Sequence, residues 1–506
     1  MRLSVLIGGK AGQGINKISQ IISQIATKRG YFTFNYRDYP SLIRGGHNFN
    51  VLTISNERIG SHESKVDFII AMDVKTVNLH KKELRKGGII ITDKGFENLG
   101  INLNVALAGA FMKIMGVDKK DFMHEIKRTL NFPKTIEAAE KGFDSQEVKF
   151  DLRKIKNKIH IMSGSEAIAQ GAINSKIDRY FGYPMTPSTG VLHALAAQEE
   201  KYGYMVFQPE NEIAVVNAAL GCSFTGAKTM IGTSGGGFDL MSEGLSLQGI
   251  TELPLVAYLA SRPGPGTGVP TYSSQGDLNI ALRAGHGEFP RVVIAPGDPN
   301  EAIEKTNEAF HFANKFNCLS ILLGDKHLAE SEFSTNKNPK KPLIVNVNRK
   351  IPGKTIVKAS SYEHDKYGNT TEDPNIVKKN QESRLKRYSQ IQKESKKFEM
   401  IKIYGKKNSK KLVVGWGSTK GVILDAIQGT DYKFMQVLYM MPLSDQIKKE
   451  LQKVNKVVLV ENNLTGQLGR IIREKTGIEI KDRILRYDSR PFLCDELSKE
   501  IKKVLK

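Results

Sequence analysis

Short, β-branched apolar runs alternate with amphipathic stretches over most of the chain. LSVLIG (3–8), VDFIIAMD (66–73) and GGIIITD (87–93) have the length and unbroken hydrophobicity of parallel strands buried on both faces. Between the first two, INKISQIISQIATKRG repeats apolar residues at helical spacing and stops at Gly30, a residue suited to closing a helix. Strand, helix and strand in that order predict a Rossmann-like α/β domain over residues 1–148. EKGFDSQEVKFDLRKIKNK then reads as a polar connector.

A second α/β pattern spans residues 158–335. A helix opens near Ser163 or Ser165, and its small residues Ala167, Ala169, Gly171 and Ala172 predict close helix packing. YFGYP, TMIGTS, LPLVAYLAS, RVVIAP and CLSILLGD read as strands, with helices from about 210 and after Gly235–Gly237. Residues 336–405 lose this rhythm and form a basic linker with one helix expected at 378–400. A third α/β unit follows at 406–506, with strands KLVVGWGST and KVVLVENN. No repeat with the period of a solenoid is present.

Composition narrows the classes. With 506 residues, 40% hydrophobic and 25% charged, the chain is globular and multidomain. No apolar run is long enough to span a bilayer, and the N-terminal apolar stretch is too short for a signal peptide. A cytoplasmic location with no membrane attachment is expected. Cys222, Cys318 and Cys494 lie far apart with no C-x-x-C pair, which argues against a disulfide framework, a zinc site or an iron–sulfur site built from this chain. The net charge is +22, but residues 336–400 alone hold 16 basic against 7 acidic residues. The remaining lysines are scattered without interleaved aromatics, so the charge fits solvated faces or an acidic protein partner, and no nucleic acid is expected.

Several segments carry candidate chemistry, each beside a structural alternative. GGKAGQG (8–14) follows a strand and opens a helix, so its amides suit either a tight turn or an anion site. It matches neither the dinucleotide fingerprint nor the Walker A loop. Arg44-Gly45-Gly46-His47, after Tyr39-Pro40, is either an anion clamp or a packing loop. GYPMTPST (182–189) sets Thr186 between Pro184 and Pro187, either a turn or a stiff loop aiming a hydroxyl. QPENEIA (208–214) puts Glu210 and Glu212 just ahead of an apolar helix. A carboxylate there caps the helix, or enters an apolar cleft where desolvation raises its pKa and lets it share a proton with a ring nitrogen. TSGGGF (233–238) has three glycines, which allow close backbone approach to a flat ligand. SRPGPGTGVPT (261–271) places Arg262 at a strand end, as a carboxylate grip or a surface cation.

Taken in order, these motifs resemble the α subunit of 2-oxoacid:ferredoxin oxidoreductases, in the form with a γ domain fused at the N-terminus. Added to them are QGD (275–277), SYEHDKYG with TED (361–373), LKRY (385–388) and VENNLTGQL (460–468). The chain departs from the family's pattern at Met185, Thr189 and Gly266; the last leaves one hydroxyl contact open. The resemblance implies a γ (pyruvate/ketoisovalerate oxidoreductase) domain, a pyrimidine-binding thiamine-enzyme domain and a transketolase C-terminal-like domain. It implies thiamine diphosphate shared with a β subunit in an α–β hetero-oligomer. Glu212 matches the glutamate that hydrogen-bonds the aminopyrimidine. Thr186 and Arg262 match residues holding the 2-oxoacid carboxylate, and Pro184, Ser234 and Gly235 would lie against the cofactor. No G-D-G magnesium motif and no cluster cysteines occur here, so Mg2+ and a 4Fe-4S cluster are expected on the β subunit. The implied reaction is oxidative decarboxylation of a 2-oxoacid to acyl-CoA, with coenzyme A as acceptor and electrons passed to ferredoxin. The competing readings are a non-catalytic scaffolding homologue and a transketolase-type thiamine enzyme that uses no ferredoxin.

Overall fold

The computed structural model describes residues 1–40, 46–347, 353–355 and 357–506. Its strands are β1 (Arg2–Lys10), β2 (Phe32–Asp38), β3 (His47–Ser55), β4 (Val66–Ala71), β5 (Leu84–Ile91) and β6 (His160–Ser163). Next come β7 (Arg179–Gly182), β8 (Met205–Phe207), β9 (Thr229–Ser234), β10 (Leu255–Ser261), β11 (Arg291–Ile294), β12 (Leu319–Asp325) and β13 (Glu332–Thr335). The last are β14 (Ile401–Gly405), β15 (Lys411–Trp416), β16 (Lys433–Val437), β17 (Tyr439–Met441), β18 (Lys456–Glu461) and β19 (Asp482–Leu485).

Two units result. The first comprises Met1–Ser163, Ser331–Lys337 and Leu493–Ser498; the second comprises Gly164–Glu330, Asn338–Phe492 and Lys499–Lys506. The domain boundary therefore differs from that expected. β6 and β13, assigned from sequence to the second domain, pair antiparallel with each other, and β13 pairs with β2. Those backbone hydrogen bonds fasten both segments to the first unit.

The first unit's sheet has the order β5-β4-β1-β3-β2-β13-β6. β1, β4 and β5 run parallel, as the Rossmann-like expectation requires, but β3 enters between β1 and β2 and runs antiparallel to both. The sheet is mixed rather than parallel. The helix Ile15–Lys28 follows β1 and buries Ile15, Ile18, Ile22 and Ile25 in a core with Leu52, Phe68 and Phe111. It ends one residue before Arg29, and Gly30 takes φ 92°. Helix Leu103–Ile114 packs closely on helix Pro133–Asp144, where a Cβ added to Gly142 would overlap the Ala106 carbonyl.

In the second unit one sheet has the order β17-β11-β12-β10-β9-β7-β8, parallel except for the edge strand β17. A separate sheet, β14-β16-β15-β18-β19, begins at Ile401 and is parallel except for β14. This is the expected third α/β element. It shares one core with the middle sheet, in which Leu255 and Ile321 join Trp416, Val437 and Leu468. The helix Gly164–Asn174 packs on the helix Pro299–Phe316: a Cβ at Gly171 would lie 2.7 Å from the Ile303 carbonyl oxygen, which explains its run of small residues. The linker helix occupies Pro374–Ser395, capped by Asp373, slightly ahead of the expected 378–400. Among the described residues no helix is long and apolar enough to cross a membrane.

Buried charge ties the C-terminal sheet to the rest of its unit. Glu301 accepts from Lys420 at 2.6 Å, from Lys402 at 3.2 Å and from Gln436 at 2.7 Å, and Lys420 also pairs with Asp298. Burial alone would push the Glu301 carboxyl up, but the two lysines win and hold it well below the ordinary carboxylate range. A carboxyl depressed in the fold gives stability that is present above its unfolded pKa and is lost as pH falls through the folded one. Lys420→Met is therefore expected to lower the unfolding free energy by about 1.5–3 kcal/mol near neutral pH, because the buried Glu301 carboxylate then keeps only Lys402 and Gln436. Urea titrations should show that deficit shrinking as the pH is taken below the ordinary carboxylate range.

Candidate active site

In the middle sheet the chain leaves β7 for β8 on one side and crosses to β9 on the other. Parallel sheets open a crevice at such a reversal, beyond the carboxyl ends of the strands. Three of those ends stand side by side: Gly182 ends β7, Ser234 ends β9 and Ser261 ends β10. The loops leaving them carry Pro184 and Thr186, then Gly235, then Arg262. The sequence spreads these residues over about eighty positions, and the sheet gathers them at one edge.

Glu212 reaches the same region from the helix Glu212–Phe224, which packs on β7 and β9. The capping role offered for Glu210 or Glu212 belongs instead to Asn211, whose side chain accepts from the Ala214 amide. Glu210 is exposed. With the cap supplied by its neighbour, Glu212 turns inward, is 3% exposed, and leaves Oε1 buried with no hydrogen-bond partner. Buried polar atoms are nearly always satisfied, so an orphaned carboxylate oxygen calls for an external partner. Ser234 is fully buried and its Oγ is likewise unpartnered.

Thr186 and Arg262, the expected carboxylate holders, lie together: the Arg262 guanidinium donates to the Thr186 carbonyl at 2.9 Å. Burial pulls the guanidinium pKa below its ordinary value, and the carboxylates of Asp277 and Glu212 counter that pull. Arg262 and Glu212 thus share one electrostatic environment. Pro184 is exposed at the rim.

The three glycines have distinct reasons. A Cβ at Gly235 would come within 2.8 Å of the Asp277 carboxylate, and one at Gly237 would press on Thr233 and on Glu212 Oε1 at 2.5 Å. Only Gly236 faces open space, with the Gly266 carbonyl at 3.9 Å. Two of the three make room for side chains of the site itself; close approach of a flat ligand is left to Gly236.

The QGD segment (275–277) enters the sequence pattern only through the resemblance, which assigns Asp277 no task. Its sequence signal is an acidic residue immediately ahead of the apolar helix Leu278–Arg283, at the N-cap position. VENNLTGQL also proves to hold structure. Buried Glu461 accepts from the Trp416 indole at 3.1 Å and from the Leu468 amide at 3.0 Å, anchoring the helix Gln467–Thr476. In the first unit, GGKAGQG ends β1 and enters the helix through Gly14 in a left-handed conformation, which accounts for the turn. Of the RGGH cluster, Arg44 and Gly45 lie outside the described residues, while His47 Nε2 meets His80 Nε2 at 2.8 Å. All three cysteines are free thiols, and the described residues contain no cluster of candidate metal ligands.

Known proteins resemble this chain in sequence and in fold. Residues 170–400 match a family model described as "Pyruvate flavodoxin/ferredoxin oxidoreductase, thiamine diP-bdg", and residues 4–130 match "Pyruvate ferredoxin/flavodoxin oxidoreductase". The chain is similar to the 2-oxoacid:ferredoxin oxidoreductase subunit alpha of Sulfolobus sp, 28% identical with 100% of this chain and 97% of the relative covered. It is 30% identical to the 2-oxoglutarate synthase subunit KorA of Methanocaldococcus jannaschii, covering 65% of this chain and 95% of the relative. Its fold is similar to that of the 2-oxoglutarate:ferredoxin oxidoreductase from Magnetococcus marinus, with TM-score 0.91, 22% identity and full coverage of both chains.

A side chain kept for binding rather than for folding should weaken the isolated protein. Glu212→Met, which removes the unpartnered oxygen at similar volume, is expected to stabilise the chain by about 1–2 kcal/mol in urea unfolding. A loss of stability would mean that Glu212 has a structural partner after all.

Proposed function

Since the chain belongs to the family of 2-oxoacid:ferredoxin oxidoreductase α subunits, we propose that Glu212, Ser234, Gly235 and Pro184 hold the aminopyrimidine end of thiamine diphosphate and that Thr186 and Arg262 hold the substrate carboxylate. The observation carrying this reading is the buried, unpartnered Oε1 of Glu212 at a sheet edge shared with Arg262. The residues present fit the cofactor: an orphaned carboxyl oxygen suits a ring nitrogen, and the orphaned Ser234 hydroxyl offers a second polar contact.

When bound, thiamine diphosphate supplies the electron sink for loss of CO2 from a 2-oxoacid. Glu212 serves as the proton-sharing partner of the ring nitrogen, held by the first turn of its helix and kept from water by burial. Arg262 provides charge complementary to the substrate carboxylate, and its bond to the Thr186 carbonyl keeps the guanidinium from swinging away. Gly236 leaves the backbone open where a flat ring could pass.

The remaining parts of the reaction lie on other molecules. A β subunit would carry Mg2+, the diphosphate site and a 4Fe-4S cluster, with ferredoxin as electron acceptor and coenzyme A as acyl acceptor, in a cytoplasmic α–β assembly. The relatives named for 2-oxoglutarate make that acid the first substrate to test, with pyruvate and a branched-chain 2-oxoacid beside it.

The experiment co-purifies the chain with a companion bearing a G-D-G motif and cluster cysteines, and follows 2-oxoacid-dependent viologen reduction. The isolated chain should be inactive and the complex active. Glu212→Gln in the complex should cut kcat by about two to four orders of magnitude. Arg262→Lys should raise KM for the 2-oxoacid by about tenfold, since an ammonium cannot reproduce a bidentate grip. Near-normal turnover in Glu212→Gln would remove that residue from the site.

A further inference from the structure

The Arg262 guanidinium is partly buried at the end of a strand and followed by a loop rich in glycine and proline. Its own bond to the Thr186 carbonyl does not explain why the backbone beneath it holds still. Directly under it stands Asp277. Ser261 Oγ donates to Asp277 Oδ2 at 2.7 Å, and the Asp277 carboxylate acts electrostatically on the Arg262 guanidinium. One side chain thus grips Ser261, the last residue of β10 and the one that precedes Arg262. On its other side it abuts Gly235, where no Cβ would fit without displacing it.

Asp277 is itself held from the C-terminal sheet. The backbone amide of Gln275 donates to the Asn462 carbonyl at 2.7 Å, and the Asn462 amide donates back to Gln275 Oε1 at 2.9 Å. Gln275 Nε2 donates to the Trp416 carbonyl at 2.8 Å, and Gln467 Nε2 donates to the Gly276 carbonyl at 2.7 Å. The segment Gln275–Asp277 is thereby pinned at two consecutive residues ahead of Asp277. The motif VENNLTGQL supplies three of these four bonds, and the Trp416 carbonyl accepts the fourth.

We propose that Asp277 is a positioning residue for Arg262, fixing the β10 terminus so that the guanidinium stays over the crevice, and that the Asn462–Gln467 loop of the C-terminal sheet holds Asp277 in place. That Arg262 grips a 2-oxoacid rests on the preceding reading; that Asp277 positions Arg262 does not. The groups facing Asp277 are Ser261 and Arg262 on the β10 terminus and Asp239 on the helix Gly235–Leu240. Burial leads in raising its pKa, Asp239 adds to the rise, and Ser261 and Arg262 oppose it.

Two measurements separate the claims. The first labels the isolated full chain with phenylglyoxal and reads each arginine by peptide mass spectrometry, with no substrate or partner present. Asp277→Ala should raise the labelling rate of Arg262 about fivefold or more while the other arginines stay unchanged. Ser261→Ala, which removes the hydrogen bond but leaves the Asp277 charge in place, should move it in the same direction by less. Asp277→Asn keeps the shape and one acceptor and should restore most of the wild-type rate. An unchanged rate at Arg262 in both Asp277→Ala and Ser261→Ala, or a rise spread equally over all arginines, would overturn the proposal. The second measurement takes the co-purified complex: Asp277→Ala should raise KM for the 2-oxoacid about tenfold, with a smaller effect on kcat and recovery in Asp277→Asn. A wild-type complex with no 2-oxoacid turnover would refute the functional reading and leave the labelling result to decide the positioning role by itself.

Discussion

A carboxyl group buried without a partner is the constraint around which the second unit is arranged. Asn211 takes over the helix cap, and Glu212 is thereby released from the commonest task of an acidic residue at a helix start. Gly237 has no side chain because Glu212 and Thr233 occupy that space. The parallel sheet reverses its direction of growth between β7 and β9, and Ser234 ends β9 beside the strand from whose end Arg262 reaches the Thr186 carbonyl. The cap stabilises the helix, whereas the unpartnered carboxyl lowers the stability of a protein that had only to fold.

The C-terminal sheet takes part in this pocket without contributing a reacting group. Its buried Glu461 satisfies the first amides of a helix and the Trp416 indole, and its asparagines and Gln467 reach the Gln275–Asp277 segment. The Glu301–Lys420–Lys402 network fastens the same sheet to the helix Pro299–Phe316. A rigid support of this kind matters because the positions of a guanidinium and a carboxylate must be held to a fraction of an ångström for orientation to aid a reaction.

Much of this was legible in the residues. β9 and β10 fall where their unbroken apolar runs predict them, and the small residues from Ala167 to Ala172 announced a close helix contact that Gly171 makes. The motifs, taken in order along the chain, point to the family without any contact. The antiparallel strands β2 and β3 and the transfer of β6 and β13 to the first unit were not legible. Strand direction and partner choice are decided by hydrogen bonds between distant segments, and a hydrophobic run looks the same whichever way its neighbour points. The task of Asp277 was equally hidden, since an acidic residue before a helix reads as a cap until its Ser261 and Arg262 partners are seen.

By itself the sequence determined the buried parallel strands and the longer helices, that the chain is multidomain, and which residue types are available for carboxylate and ring recognition. These follow from local periodicity and from chemistry that each residue carries with it. Only the tertiary structure decided that Asn211 rather than Glu212 caps its helix, that Thr186 and Arg262 touch, and that a loop near residue 462 supports residue 277. Such facts depend on which surfaces are excluded from water together. That is a property of the whole packed unit, and no window along the chain contains it.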